Sequence, residues 1–197
     1  MLALYHSPFT RSQLIRFALE ELGLPYELRS VDLAGGEHRS AADLALNPLG
    51  QLPTLVDGPL VLREAAAIAL HLGDKAQQSS LVPGPGSASR APYYQWVVFS
   101  IASELAALGK IVQHTRVLPE AARVQAVADA GHAEWKAVAS ALTVALEDKP
   151  FLLGQAFSLA DVMIGGTLWL ARFLGVLTPY PELARYFERV SSRPATR

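Results

Sequence analysis

Two prolines frame the stretch that constrains this chain most, Asn47-Pro48-Leu49-Gly50-Gln51-Leu52-Pro53-Thr54-Leu55. It reads as a turn and a short buried strand opened by Pro53. A hairpin at Asp57-Gly58, a second strand, and a helix beginning at Glu64-Ala65 follow. A proline at a strand start has no N–H to donate and holds its own φ, so the ladder begins after it. A cis Leu52–Pro53 bond is expected, turning the preceding peptide outward with the N–H and C=O of Leu52 unpaired. Such a pair can hold an extended peptide as an added strand would. Glu64 and Ala65 fall where helix N–H groups and the dipole favour a carboxylate. The pattern fits a small, anionic, peptide-like ligand, although a plain hairpin followed by a helix would show the same string.

Composition narrows the remaining classes. The chain has 197 residues, 51% of them hydrophobic, enough to bury a sizeable core in one large or two small domains. A net charge of −1 without a Lys/Arg cluster argues against a nucleic-acid surface. No apolar run approaches the roughly 20 residues of a membrane span, and strand-like residues start at Leu2, where a signal peptide would carry its apolar region. The absence of cysteine removes disulfides, Cys metal sites and any protein thiolate nucleophile. A cytoplasmic location and no bound metal are the expectations.

The first third alternates elements. Strands are expected at Leu2–Tyr5, Tyr26–Val31, Thr54–Val56 and Leu60–Leu62. Helices are expected at Ser12–Leu22, stopped by Gly23 and Pro25, at Glu37–Leu46 and at Glu64–Leu72. The order βαβ then αββα suggests a mixed four-stranded sheet with helices on it. Gln77-Gln78-Ser79-Ser80 and Pro83-Gly84-Pro85-Gly86 can sustain neither helix nor strand, so residues 76–89 read as a linker between domains 1–75 and 90–197. Beyond it every long segment has helical period: Pro92 to about Val117, a helix from near Pro119 carrying Val124, Val127, Gly131, Trp135, Val138 and Leu142, another opening at Ser158, and a last short one after Pro179 and Pro181. Ser158-Leu159-Ala160-Asp161 has the form of a capping box, which accounts for an acid among Phe157, Val162, Met163 and Ile164. A catalytic Asp161 is the alternative.

At this point the chain resembles the cytosolic glutathione transferases over nearly its whole length. The resemblance rests on Gly36-Glu37-His38-Arg39, the Asn47–Leu55 stretch, Arg63-Glu64-Ala65 with Ile68, and the Ser158–Asp161 box, in this order and at these separations. It implies an α/β thioredoxin-like amino-terminal domain and an all-α helical-bundle carboxy-terminal domain, with glutathione as co-substrate. Matched residue by residue, it places His38 and Arg39 near the glycine carboxylate of glutathione and Gln51 against the tripeptide backbone. It pairs Leu52, before Pro53, with the cysteinyl main chain, and puts Glu64 and Ala65 at the γ-glutamyl end. Ala65 departs from the family's serine, so only its backbone N–H can serve.

The thiol must react as thiolate, and a hydroxyl donor near the sulfur stabilises that anion. Tyr5-His6-Ser7-Pro8-Phe9-Thr10-Arg11-Ser12 offers several hydroxyls. Ser7-Pro8-Phe9 resembles the plant-type classes with Ser7 as activator, whereas counting back from Leu22-Gly23 selects Thr10. Thr10 is preferred, because a residue entering the helix points at the ligand more reliably than one just after the strand. Arg11 occupies the slot where cysteine-type bacterial members carry their thiol, Ser12 reads as a helix cap, and Tyr5 as a core strand residue. The resemblance implies a transferase adding the thiolate to a small apolar electrophile. The electrophile pocket is expected between the domains near Phe9, Tyr94, Val98 and Ile101, all of them core residues otherwise. Another glutathione-dependent enzyme (isomerase, dehalogenase, peroxidase or lyase) and a non-catalytic binding module are the competing readings. A homodimer is implied by the family alone.

Overall fold

Leu2, Ala3 and Leu4 are buried, which is what a central strand requires of its side chains. In the computed structural model, which describes residues 1–76 and 78–196, β1 (Leu2–His6) runs parallel to β2 (Tyr26–Ser30) and antiparallel to β3 (Thr54–Asp57). β4 (Leu60–Arg63) completes the order β2-β1-β3-β4. A parallel pair needs a crossover, and α1 (Ser12–Leu22) supplies it, burying Leu14, Ile15, Phe17, Ala18 and Leu19. Gly23, at φ 64°, ends α1 in a left-handed turn that returns its N–H to Glu20 and Leu19. α3 (Ala65–Lys75) packs on α1 through the face carrying Ile68, Ala69 and Leu72. Asp57, at the end of β3, accepts from Lys75 at 2.8 Å and pairs with His71 at 2.9 Å. These bonds hold its carboxyl below the usual range and tie the strand to α3.

The expected helix over Glu37–Leu46 is two pieces. Glu37–Arg39 forms a single tight turn, and Ser40 goes extended at ψ 156° before α2 (Ala41–Leu46). Ser40 Oγ accepts from the Asp43 N–H, so its side chain caps α2.

Contacts divide the chain into Met1–Gly84 and Pro85–Arg197. The second unit is helical: α4 (Arg90–Phe99), α5 (Leu105–Val112), α6 (Gln125–Ala145), α7 (Leu159–Phe173) and α8 (Pro181–Ser191). α4 and α5 belong to one continuous stretch, Arg90–Val117, widened to π geometry at Ser100–Glu104 and Gln113–Val117. This stretch is long and apolar enough to cross a membrane by length and composition only, and it packs on α6 and α7 within the helical unit. α6 starts later than Pro119 suggested, because Glu120–Ala122 make only a short turn and Arg123 and Val124 are extended. At Gly165 a Cβ would meet Val190 Cγ1 at 2.5 Å, so α7 and α8 approach as closely as they do only because that side chain is missing.

The capping box at the start of α7 is present. Asp161 is fully buried and accepts from Ser158 N (2.9 Å), Ser158 Oγ (2.7 Å), Leu152 N (2.9 Å) and Tyr186 Oη (2.9 Å). Burial pushes its carboxyl up and these bonds oppose the shift, a structural role that leaves no face for catalysis.

Candidate functional site

Asn47 organises the turn before β3. It is buried, donates from Nδ2 to Gln51 O at 2.7 Å, accepts at Oδ1 from Leu49 N at 3.2 Å, and its carbonyl accepts from Gly50 N at 2.8 Å. Gly50 has φ 58°, and a Cβ there would lie 2.9 Å from His38 O and 3.1 Å from Arg39 Cδ. Only glycine allows the Glu37–Arg39 turn to lie directly against this loop. The Glu37–Arg39 turn, with His38 and Arg39, thereby lies next to Gln51. A small hollow here is lined by Tyr5, His38, Asn47, Gln51, Leu52 and Thr54. The His38 Nδ1 is buried and has no hydrogen-bond partner among the described residues.

The Leu52–Pro53 bond is cis, and Leu52 lies just outside β3. Among the described residues, neither the N–H nor the C=O of Leu52 makes a hydrogen bond. An unpaired donor and acceptor on one half-exposed residue beside a strand end form a docking edge for extended main chain.

Glu64 sits immediately before α3 at φ 66°, ψ 115°, a conformation costly for a residue with a Cβ. Its side chain makes no capping bond and is exposed. Ala65 is buried and offers backbone only.

The loop between β1 and α1 decides which hydroxyl is available. Thr10 Oγ1 donates to Ser7 O at 2.8 Å and lies 2.6 Å from Ser12 Oγ. Ser12 does not cap α1. It is fully buried, 2.8 Å from His6 Nδ1, and accepts from Ser7 N at 3.2 Å. Burial, with the Arg16 charge adding, holds His6 below its ordinary pKa, consistent with a neutral ring in this network. The Ser7 hydroxyl makes no hydrogen bond among the described residues. Tyr5 Oη accepts from Arg29 at 3.2 Å. Phe9 is fully exposed at φ 59°, and Tyr94 and Val98 are 41% and 48% exposed, so none of these three is a core residue.

Arg11 escaped the sequence reading except as a vacant cysteine slot. Its Nη2 donates to Gln51 Oε1 at 3.3 Å, joining the amino end of α1 to the residue before Leu52. Among the described residues no cluster of His, Cys, Asp and Glu could hold a metal ion.

Comparison with known proteins extends this picture. The family model described as glutathione S-transferase, N-terminal domain, matches residues 4–80, and that described as glutathione S-transferase, C-terminal domain, matches residues 125–189. The disulfide-bond oxidoreductase YfcG of Escherichia coli is 28% identical, across 100% of this chain and 93% of its own. Glutathione S-transferase 1 of Zea mays is 30% identical, across 90% of this chain and 85% of its own. The crystal structure of a glutathione transferase from Burkholderia graminis, with two glutathione molecules bound per subunit, superposes with a TM-score of 0.89 at 28% identity, covering 99% of this chain and 85% of that one. Two domain models in register with the two structural units, and a maize relative alike along nearly the whole chain, show that this protein belongs to the glutathione S-transferase family.

Proposed function

We propose that the chain is a glutathione S-transferase of the hydroxyl-activated kind, which holds glutathione on the main chain of Leu52 and delivers its thiolate to an apolar electrophile. The unpaired N–H and C=O of Leu52 carry this reading, since they offer a peptide the two bonds of an added strand. Gln51 lies beside the bound main chain. The uncommitted carboxylate of Glu64, with the Ala65 N–H, takes the γ-glutamyl end, and Arg39 with His38 faces the glycine carboxylate. The expectation of Thr10 as activator is replaced by Ser7. The proton of Thr10 goes to Ser7 O, whereas the Ser7 hydroxyl is free to donate to a thiolate. In the reaction the thiol proton passes to solvent, sulfur bonds to the electrophilic carbon, and a leaving group departs or the neighbouring atom takes a proton. Family membership supports a homodimer working in the cytoplasm.

A second reading follows from the likeness to YfcG along the whole chain. With no cysteine present, disulfide chemistry here would run on glutathione itself. One thiolate attacks a substrate disulfide, a second resolves the mixed disulfide, and oxidised glutathione leaves as the substrate is reduced by two electrons. Incubating the chain and glutathione with a panel of electrophiles, peroxides and small disulfides, with mass analysis of products, separates the readings. Thioether products establish the transferase. Oxidised glutathione formed only with disulfides establishes the second reading, and binding without turnover refutes both.

A further inference from the structure

We propose that Arg11 is a catalytic residue of this site, its guanidinium stabilising the glutathione thiolate by direct charge pairing. The inference rests on the glutathione-binding reading above and adds a role for a residue outside the hydroxyl set. Arg11 precedes the first turn of α1 with helical dihedrals, φ −58° and ψ −18°, and its Nη2 reaches across 40 positions of sequence to Gln51 Oε1 at 3.3 Å. That bond uses the oxygen of Gln51 and leaves its NH2 for a ligand. Among the described residues Arg11 forms no ion pair, and the first turn of α1 holds no acid. The cation is therefore uncompensated, half-buried, and held beside Leu52.

A tripeptide paired with Leu52 as an added strand places its central Cα roughly 5 Å from that of Leu52. Its thiol then extends within reach of a long side chain anchored on the neighbouring residue. The positive end of α1 acts in the same sense. Ser7 is then the one hydroxyl of this loop left to the anion, since the Thr10 proton is committed and Ser12 is fully buried, and a cation beside it adds to that single bond. A guanidinium cannot lose its charge at working pH, and an opposite charge at contact distance lowers the pKa of an acid by about 1–3 units.

The test uses the full chain and its Arg11→Gln and Arg11→Lys variants. Calorimetry gives the affinity for glutathione and for S-methylglutathione, which has no thiol to ionise. Ultraviolet thiolate absorbance against pH gives the pKa of the bound thiol. Arg11→Gln is expected to raise that pKa by about one unit or more, with S-methylglutathione affinity little changed, and Arg11→Lys to restore most of the shift. An unchanged bound-thiol pKa in Arg11→Gln overturns the proposal. So does a matching loss of affinity for both ligands at constant pKa, which would make Arg11 a carboxylate anchor. If the unaltered chain binds neither ligand, the binding reading itself fails, and that appears before any variant is made.

Discussion

Replacing Asp161 by alanine removes the single acceptor around which the start of α7 is built. Four donors lose their partner at once: the N–H groups of Leu152 and Ser158, the Ser158 hydroxyl and the Tyr186 hydroxyl, at 2.7–2.9 Å. A bond to a charged group contributes about 1.5–3 kcal/mol, so a simple sum gives about 6–12 kcal/mol. Removing the carboxylate also removes the cost of burying it, which its raised pKa records. The expected net loss is about 3–5 kcal/mol, the usual result of breaking a buried charged network from one side. Urea unfolding of the full chain should show the midpoint falling by about 1–2 M, taking a slope of about 2–3 kcal/mol per M. Asp161→Asn keeps the shape but turns a donor towards Ser158, so it should cost most of the same amount. A loss below about 1 kcal/mol for either variant would refute the argument, since single bonds to neutral groups already contribute that much.

Three further outcomes follow from the same structure. Glu64→Gln should weaken glutathione binding by about tenfold, or 1.4 kcal/mol, in a calorimetric titration without lowering the melting temperature, because its carboxylate makes no capping bond. Ser7→Ala should raise the pKa of bound glutathione by about one unit, while Thr10→Ala should do less, since the Thr10 proton is already used within the loop. Glu104 is fully buried, with neither carboxyl oxygen hydrogen-bonded among the described residues, and burial pushes its pKa well above the ordinary value. The folded chain therefore keeps a proton that the unfolded chain releases above about pH 4.3, so stability falls as pH rises from there through the folded pKa, by up to about 1.4 kcal/mol per unit. Glu104→Gln should flatten that decline in a series of melting temperatures between about pH 5 and 8.

What could be read in the sequence was local. Pro53 opens β3, Gly23 stops α1 and Ser158–Asp161 caps α7, because each signal acts within a turn of its own position. The break at Ser40 is local too, but its serine was hidden inside an apparently continuous helical segment. Features set by packing were not legible. Arg11 meets Gln51 across 40 residues, Glu104 is buried by helices distant in sequence, and Glu64 is forced to positive φ where β4 turns into α3. The preference for Thr10 over Ser7 rested on where the side chain points; that the Thr10 hydroxyl donates to a carbonyl three residues back was not legible in the sequence.

The central claim is that the Leu52 main chain receives glutathione. Chemical-shift titration of the isotope-labelled chain with glutathione tests it at that atom pair. The account predicts saturable shifts at the Leu52 amide, with companion shifts at Ala65 and the Gln51 side-chain NH2, and the Leu52 N–H becoming protected from hydrogen exchange. No shift at Leu52 with several millimolar glutathione, or shifts confined to the helical unit, would contradict it.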